Sequence, residues 1–201
     1  MPGSVLAVTA HPDDLELWVG GTLALHAQHA TVVGAVQSHD PIRDAEAQAS
    51  AKVLGIDVGL HPRLDAATIG ALIRQHRPDV LITHPMDDVH PDHRAAAKAV
   101  LAGLPEAHIA TGFPRRLYTC DSYNSLTLNG PVTASVIIDV TTTYEQKMRA
   151  LAEHRSQPIT EHFGPMAETL SALWGARIGT ARAEAFLPLP ILGRLPAAAH
   201  L

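Results

Sequence analysis

Apolar and polar positions fall into blocks along the first hundred residues, and the blocks define elements. Residues 5–9 and 31–37 are β-branched apolar runs that read as strands buried on both faces. Residues 57–60 and 80–83 read as two more. Between them lie segments with helical spacing. A loop from 11 to 21 leads into a first helix over 22–28. Asp40 and Pro41 supply a cap and a first-turn proline for a helix that ends at Leu54, before Gly55. A third helix over 66–76 is ended by Pro78. A fourth, capped by Asp92, runs to Ala102 and is stopped by Gly103 and Pro105.

Strand and helix alternate with short connections, which predicts an α/β fold with a mostly parallel sheet flanked by helices. The second half is less regular. Residues 117–120 and 135–140 read as strands, and 144–154 and 166–178 as helices. Residues 183–189 form a last strand or an extended tail. Pro188, Pro190 and Pro196 argue against regular structure to the end, so 191–201 is expected to be a loosely held tail. No repeat, charge block or low-complexity linker divides the chain, which reads as one domain over 1–201.

Composition narrows the function classes. The 201 residues are 46% hydrophobic and 17% charged, with a net charge of -5, so nothing points to nucleic acid or an anionic membrane. No apolar run approaches the roughly 20 residues that cross a bilayer. The N-terminus lacks the basic region of a signal peptide. The single cysteine, Cys120, excludes an internal disulfide and fits a reducing, cytoplasmic setting. It has no neighbouring base, so it is not read as a nucleophile. The anomaly is the histidine count, 13 scattered along the chain.

Two polar knots follow two of the apolar runs. Ala10-His11-Pro12-Asp13-Asp14 follows the first strand, and Thr83-His84-Pro85-Met86-Asp87-Asp88-Val89-His90-Pro91-Asp92-His93 follows the fourth. Ligands of open α/β sheets bind at the carboxyl ends of strands, so both knots belong to one edge. Each knot alone is ordinary turn and cap chemistry. Together they point to a divalent metal site. Zinc takes imidazole nitrogen and carboxylate oxygen, and a catalytic zinc keeps three protein ligands and one open position. His11 and Asp14 lie three apart in a tight loop, and His93 supplies a third ligand. Asp13, acceptor-only when ionised, is then placed as general base, and a protonated His90 as oxyanion stabiliser, a contribution of about 3 kcal/mol.

The run His11-Pro12-Asp13-Asp14-Leu15-Glu16-Leu17 with Gly20-Gly21-Thr22-Leu23 resembles the opening signature of the PIG-L/LmbE-type zinc-dependent de-N-acetylases. The resemblance continues through Arg43-x-x-Glu46, through Arg77-Pro78-Asp79 leading to His90-Pro91-Asp92-His93, through Lys147 to Gln157, and into Ala183-Glu184-Ala185-Phe186. It implies a Rossmann-like domain with one Zn2+ on His11, Asp14 and His93, other divalent metals being compatible with the same ligands. It implies a small-molecule partner, an N-acetylated amino sugar or related conjugate, with Asp13 and His90 as catalytic residues. By the same resemblance Arg43 binds the sugar, and Asp65 is an acidic partner for its hydroxyls. Asp88 stands where some thiol-cofactor deacetylases have a tyrosine, and is placed beside the substrate pocket. Trp18 stands where a small residue is usual.

Other residues carry plainer readings. Arg43 also suits an ion pair with Glu46. His84 either orients a metal ligand from behind or is a satisfied core histidine. His39 ends the second strand on the functional edge. His154 and Gln157 tie a helix end to the site. His26, His29, His61, His76, His108, His162 and His200 are read as surface residues. Gly20 and Gly21 lack the spacing of a dinucleotide loop and are read as close-packing glycines. A metal phosphoesterase, an inactive metal-binding module and a dinucleotide-dependent oxidoreductase are the competing functions, and a homo-oligomer is compatible with the sequence.

Overall fold

A computed structural model describes residues 3–195 of the chain. The described residues form nine strands: β1 Val5–Thr9, β2 Val32–Gln37, β3 Asp57–His61, β4 Val80–Thr83, β5 Arg116–Thr119, β6 Leu126–Thr127, β7 Gly130–Pro131, β8 Val136–Asp139 and β9 Ala183–Leu189. Six α-helices accompany them: α1 Gly20–Ala27, α2 Pro41–Leu54, α3 Ala66–His76, α4 Pro91–Thr111, α5 Tyr144–Leu151 and α6 Gly164–Ile178. Seven strands make one sheet in the order β3-β2-β1-β4-β5-β9-β8, while β6 and β7 form a separate hairpin. The first five run parallel, and β9 and β8 are antiparallel additions.

The strand pattern divides the core into two layers. Along β1, Val5 and Ala7 face one side and Leu6 and Val8 the other, the period-2 alternation of a strand covered on both faces. Leu23, Ala51, Leu54, Leu151 and Leu170 cover the first face. Ile69, Ile73, Val100 and Leu104 cover the second. Chain order reverses between β1 and β4, whose register pairs Val5 with Val80 and Ala7 with Ile82. This is the topological switch point, and both polar knots leave the sheet there.

Several boundaries differ from the sequence reading. The loop over 11–21 is helical from Leu15: a π-helical turn, Leu15–Val19, precedes α1, and all five of its residues are buried. Gly34 of β2 makes room for Leu15, whose Cδ1 occupies the space a Cβ would need. Helix α4 is capped by His90, whose Nδ1 accepts the Asp92 N–H at 3.2 Å, not by Asp92. It also runs through Gly103 and Pro105 to Thr111. Gly103 is a packing glycine, because a Cβ there would collide with the Ala66 carbonyl at the start of α3. The stop is Gly112, with φ +75°. In the second half, α5 ends at Leu151 rather than 154, and the β6–β7 hairpin had no strong signal. Residues 183–189 are a strand despite Pro188; β8 pairs only with 183–186, so Pro188 lies past its reach. Ile191 and Arg194 exchange backbone hydrogen bonds, and residues 196–201 of the expected tail lie outside the described residues. No helix among the described residues is long and apolar enough to cross a membrane.

A buried ion pair locks the first knot to the C-terminal half. Lys147 Nζ lies 2.7 Å from Glu184 Oε1, and the same carboxylate accepts the Gly21 and Thr22 N–H groups at 2.9 and 2.8 Å. Glu184 therefore serves as an anionic cap for the first turn of α1. Gly21 is close-packed as read, since a Cβ there would sit 2.7 Å from Val140. Glu184→Leu leaves Lys147 and two amide groups buried without partners. Chemical denaturation is expected to show a loss of about 3–5 kcal/mol, whereas an unchanged midpoint would contradict this role.

Candidate metal centre

The two knots meet. His11 Nδ1 lies 3.2 Å from Asp14 Oδ2, and His93 Nε2 lies 3.3 Å from Asp14 Oδ1. His84 Nε2 is also 3.2 Å from Asp14 Oδ2, and its ring stacks on His93 at 3.8 Å between centroids. The donor atoms group in two ways that share His93: His11, His90 and His93 on the outer side, and Asp14, His84 and His93 within. The expected trio of His11, Asp14 and His93 draws from both groups.

The donor set fits a divalent ion of the zinc type. Both ring nitrogens of His93 are buried and lack a properly angled hydrogen bond, although carboxylate oxygens lie 3.2 and 3.3 Å away. Groups that crowd a common point without bonding each other are arranged as ligands are. Burial disfavours a charged His93, but Asp14 and Asp88 outweigh that and raise its pKa to about 9. Burial likewise pushes Asp14 up, and the imidazoles of His84, His93 and His11 beside it override this, holding the carboxyl well below its ordinary range. The field at this point thus favours a cation.

His84 is resolved by the structure as a partner of the cluster, not a core histidine. Its Nε2 accepts the Ala10 N–H at 3.1 Å, which ties the two strand ends together. Cys120 Sγ sits 4.0 Å from its Nδ1, and burial pushes the thiol's pKa well up, in keeping with an inert cysteine.

Asp88 is corrected. It is fully buried, so it cannot touch substrate; Oδ1 accepts the His90 N–H at 2.8 Å and Oδ2 lies 3.2 Å from His93 Nδ1. It orients His90 and His93 of its own knot. The Asp65 carboxylate caps α3, accepting the Thr68 N–H at 2.9 Å and the Thr68 hydroxyl at 3.1 Å, with Arg63 Nε at 3.6 Å, and its side chain stays part-exposed.

Arg43 does not pair with Glu46. Its Nη2 donates to Asp13 Oδ1 at 2.9 Å, while Glu46 accepts the Ser156 N–H at 2.8 Å and the Ser156 hydroxyl at 2.6 Å. Burial and then the Asp14 charge raise the Asp13 pKa, and Arg43 offsets only part of this. Buried His154 lies 3.1 Å from Glu16 Oε2 and so fastens the turn after α5 to the first knot. His90 keeps one ring nitrogen occupied, because Nδ1 accepts the Asp92 N–H. In the neutral ring the proton is therefore on Nε2, and His90 is a donor without being protonated.

A cavity of ≈ 190 Å³ opens beside His11 and is lined by Ser38, His39, Leu64 and Asp92 among others. His39 thus reaches the edge on which the sequence placed it. Sequence reasoning missed Tyr123, whose ring lies parallel to His93 at 5.6 Å and tilted to His90 at 6.5 Å. Its position just beyond the carboxyl end of β5 was the available signal. Burial, then the Asp14 and Asp13 charges, push its pKa up, so the phenol stays a donor. Of the histidines read as surface residues, those among the described residues are exposed or only partly buried.

Residues 6–104 match the family model for PIG-L, described as GlcNAc-PI de-N-acetylase. The diacetylchitobiose deacetylase of Thermococcus kodakarensis is 28% identical over 230 aligned positions, covering 92% of this chain and 83% of that one. Over that span the chain is similar to the PIG-L/LmbE family. Among solved structures, it is similar to the conserved protein TT1542 from Thermus thermophilus, with TM-score 0.79, 25% identity, and 93% and 95% of the two chains covered. It also shares the fold of GalB, a 4-carboxy-2-hydroxymuconate hydratase from Pseudomonas putida, with TM-score 0.76, 19% identity, and 93% and 96% covered. The fold alone therefore does not choose the reaction.

Asp88→Asn removes the charge facing His93 while keeping its volume. Zinc affinity measured against a competing chelator is expected to fall about 10–100-fold, and wild-type affinity would contradict the orienting role.

Proposed function

We propose that this protein is a metal-dependent N-deacetylase acting on an amino sugar or related small-molecule conjugate. The observation that carries the reading is the convergence of His11, Asp14 and His93, with Asp13 and His90 beside them. The family match and the named activity of the Thermococcus kodakarensis relative support the same reaction class. His11, Asp14 and His93 hold one zinc, which when bound lowers the pKa of water toward 7 and polarises the amide carbonyl.

The chain's own residues then divide the work. Asp13 takes a proton as water adds to the acetyl carbon; its raised pKa suits a group that must accept a proton and return it. The Arg43 ion pair fixes which way the Asp13 carboxylate points. His90 Nε2–H donates to the oxyanion. When the C–N bond breaks, Asp13 gives its proton to the leaving nitrogen, releasing acetate and a free amine. The unengaged edge of Arg43 meets a substrate hydroxyl, and the cavity beside His39 takes the sugar.

A two-metal phosphoesterase is disfavoured, because the two donor groups share His93 and supply only one carboxylate, Asp14, between them. A hydratase is the useful control because of the shared fold. Acetate release is to be assayed with N-acetylglucosamine, N,N'-diacetylchitobiose and related conjugates, beside hydration of an unsaturated hydroxy acid. Deacetylation is expected, and Asp13→Asn should lower kcat at least about 10²-fold with one zinc per chain retained. Hydration without acetate release, or full turnover in Asp13→Asn, would overturn the proposal.

A further inference from the structure

Asp14 is hydrogen-bonded at both oxygens. Oδ2 accepts the His11 backbone N–H at 2.7 Å, and Oδ1 accepts the Trp18 indole N–H at 3.1 Å. Trp18 lies four residues further along the helical turn Leu15–Val19, so its side chain leans back over Asp14. The indole is buried, 2% exposed. It meets the Tyr123 ring edge-on at 5.1 Å and the His93 ring at 6.2 Å, both at 80°. A buried indole N–H needs an acceptor, and this one has Asp14. The ring cannot swing away without leaving that contact and vacating a packed site.

We infer that Trp18 is a positioning residue for the metal centre: it fixes the rotation of the Asp14 carboxylate so that its remaining lone pairs face the ion. The inference rests on the reading of His11, Asp14 and His93 as metal ligands. Donor type matters here. A lysine or arginine in the same place would neutralise Asp14 and compete with a divalent ion. The indole N–H is neutral and does not titrate, so it holds the carboxylate while leaving its charge available. Trp18 touches no reacting atom, and its effect is on how tightly the ion is held.

The chain has only two tryptophans, Trp18 and Trp174, which makes a direct readout available. In ¹⁵N-tryptophan-labelled protein the two indole N–H resonances are separable, and Trp18→Phe identifies the Trp18 signal by its loss. Titrating the metal-free wild type with zinc should move the Trp18 resonance, saturating at one zinc per chain. Trp18→Phe should weaken zinc binding about 10–100-fold against a chelator. An indole resonance that ignores bound zinc, or wild-type zinc affinity in Trp18→Phe, would overturn the inference. If that variant does not fold, Trp174→Phe assigns the two signals instead and the zinc titration decides. A zinc-dependent Trp18 shift without acetate release would reject the proposed reaction and keep this inference. A wild-type protein that binds no zinc would reject both.

Discussion

The parallel pairing of β1 with β4 is the constraint on which the rest depends. Because Val5 pairs with Val80 and Ala7 with Ile82, Thr9 and Thr83 end their strands at neighbouring points of one sheet edge. The connections that follow lie at the position where strand order reverses, so a crevice opens between them. His11, Asp13 and Asp14 enter it from one side, and His84, Asp88, His90 and His93 from the other. The Ala10 N–H to His84 contact bolts the two sides together at their roots. A one-residue slip in this register would turn both knots away from each other.

Electrostatics then explains why so many ionisable groups can be buried together. Asp14, Asp88, His84 and His93 are buried, a costly arrangement for charges unless each offsets another. Asp14 holds His93 toward its charged form, His93 helps to hold Asp14 ionised, and Asp88 orients His93 from behind. A divalent cation would relieve the remaining mismatch, because both ring nitrogens of His93 stand beside carboxylate oxygens without bonding them. Around this centre lies a ring of fasteners: Arg43 on Asp13, His154 on Glu16, Ser156 on Glu46, and Glu184 on the first turn of α1. Each joins the first knot or its neighbours to a segment distant in sequence. The geometry of four residues near the N-terminus is thus set by residues as far along as Glu184.

The sheet core was legible because β1, β2 and β4 are apolar runs with little competing pattern, and α2 was legible because Asp40, Pro41 and Gly55 mark both its ends. The metal-type donors were legible because their spacing is local within each knot. What was not legible depends on partners distant in sequence. Gly103 looks like a helix stop until α3 is known to cross there. Arg43 looks like a partner for Glu46 because they share a helix, yet its true partner lies 30 residues away. Asp88 looked available to substrate because a sequence does not report that it is sealed behind His93, and the capping of α3 by Asp65 likewise shows only in the structure. Tyr123 reaches the site only through the turn after β5, and Trp18 is informative only once its N–H is seen to meet Asp14.

The central claim is that two knots about eighty residues apart hold one ion at the switch point. Zinc-edge anomalous diffraction from crystals grown with zinc tests it most directly. The expected result is a single peak about 2.0–2.2 Å from His11, Asp14 and His93, with His84 and Asp88 behind them and Asp13 beside. A peak held by another set of residues, two peaks sharing His93, or no peak at this edge of the sheet would contradict it.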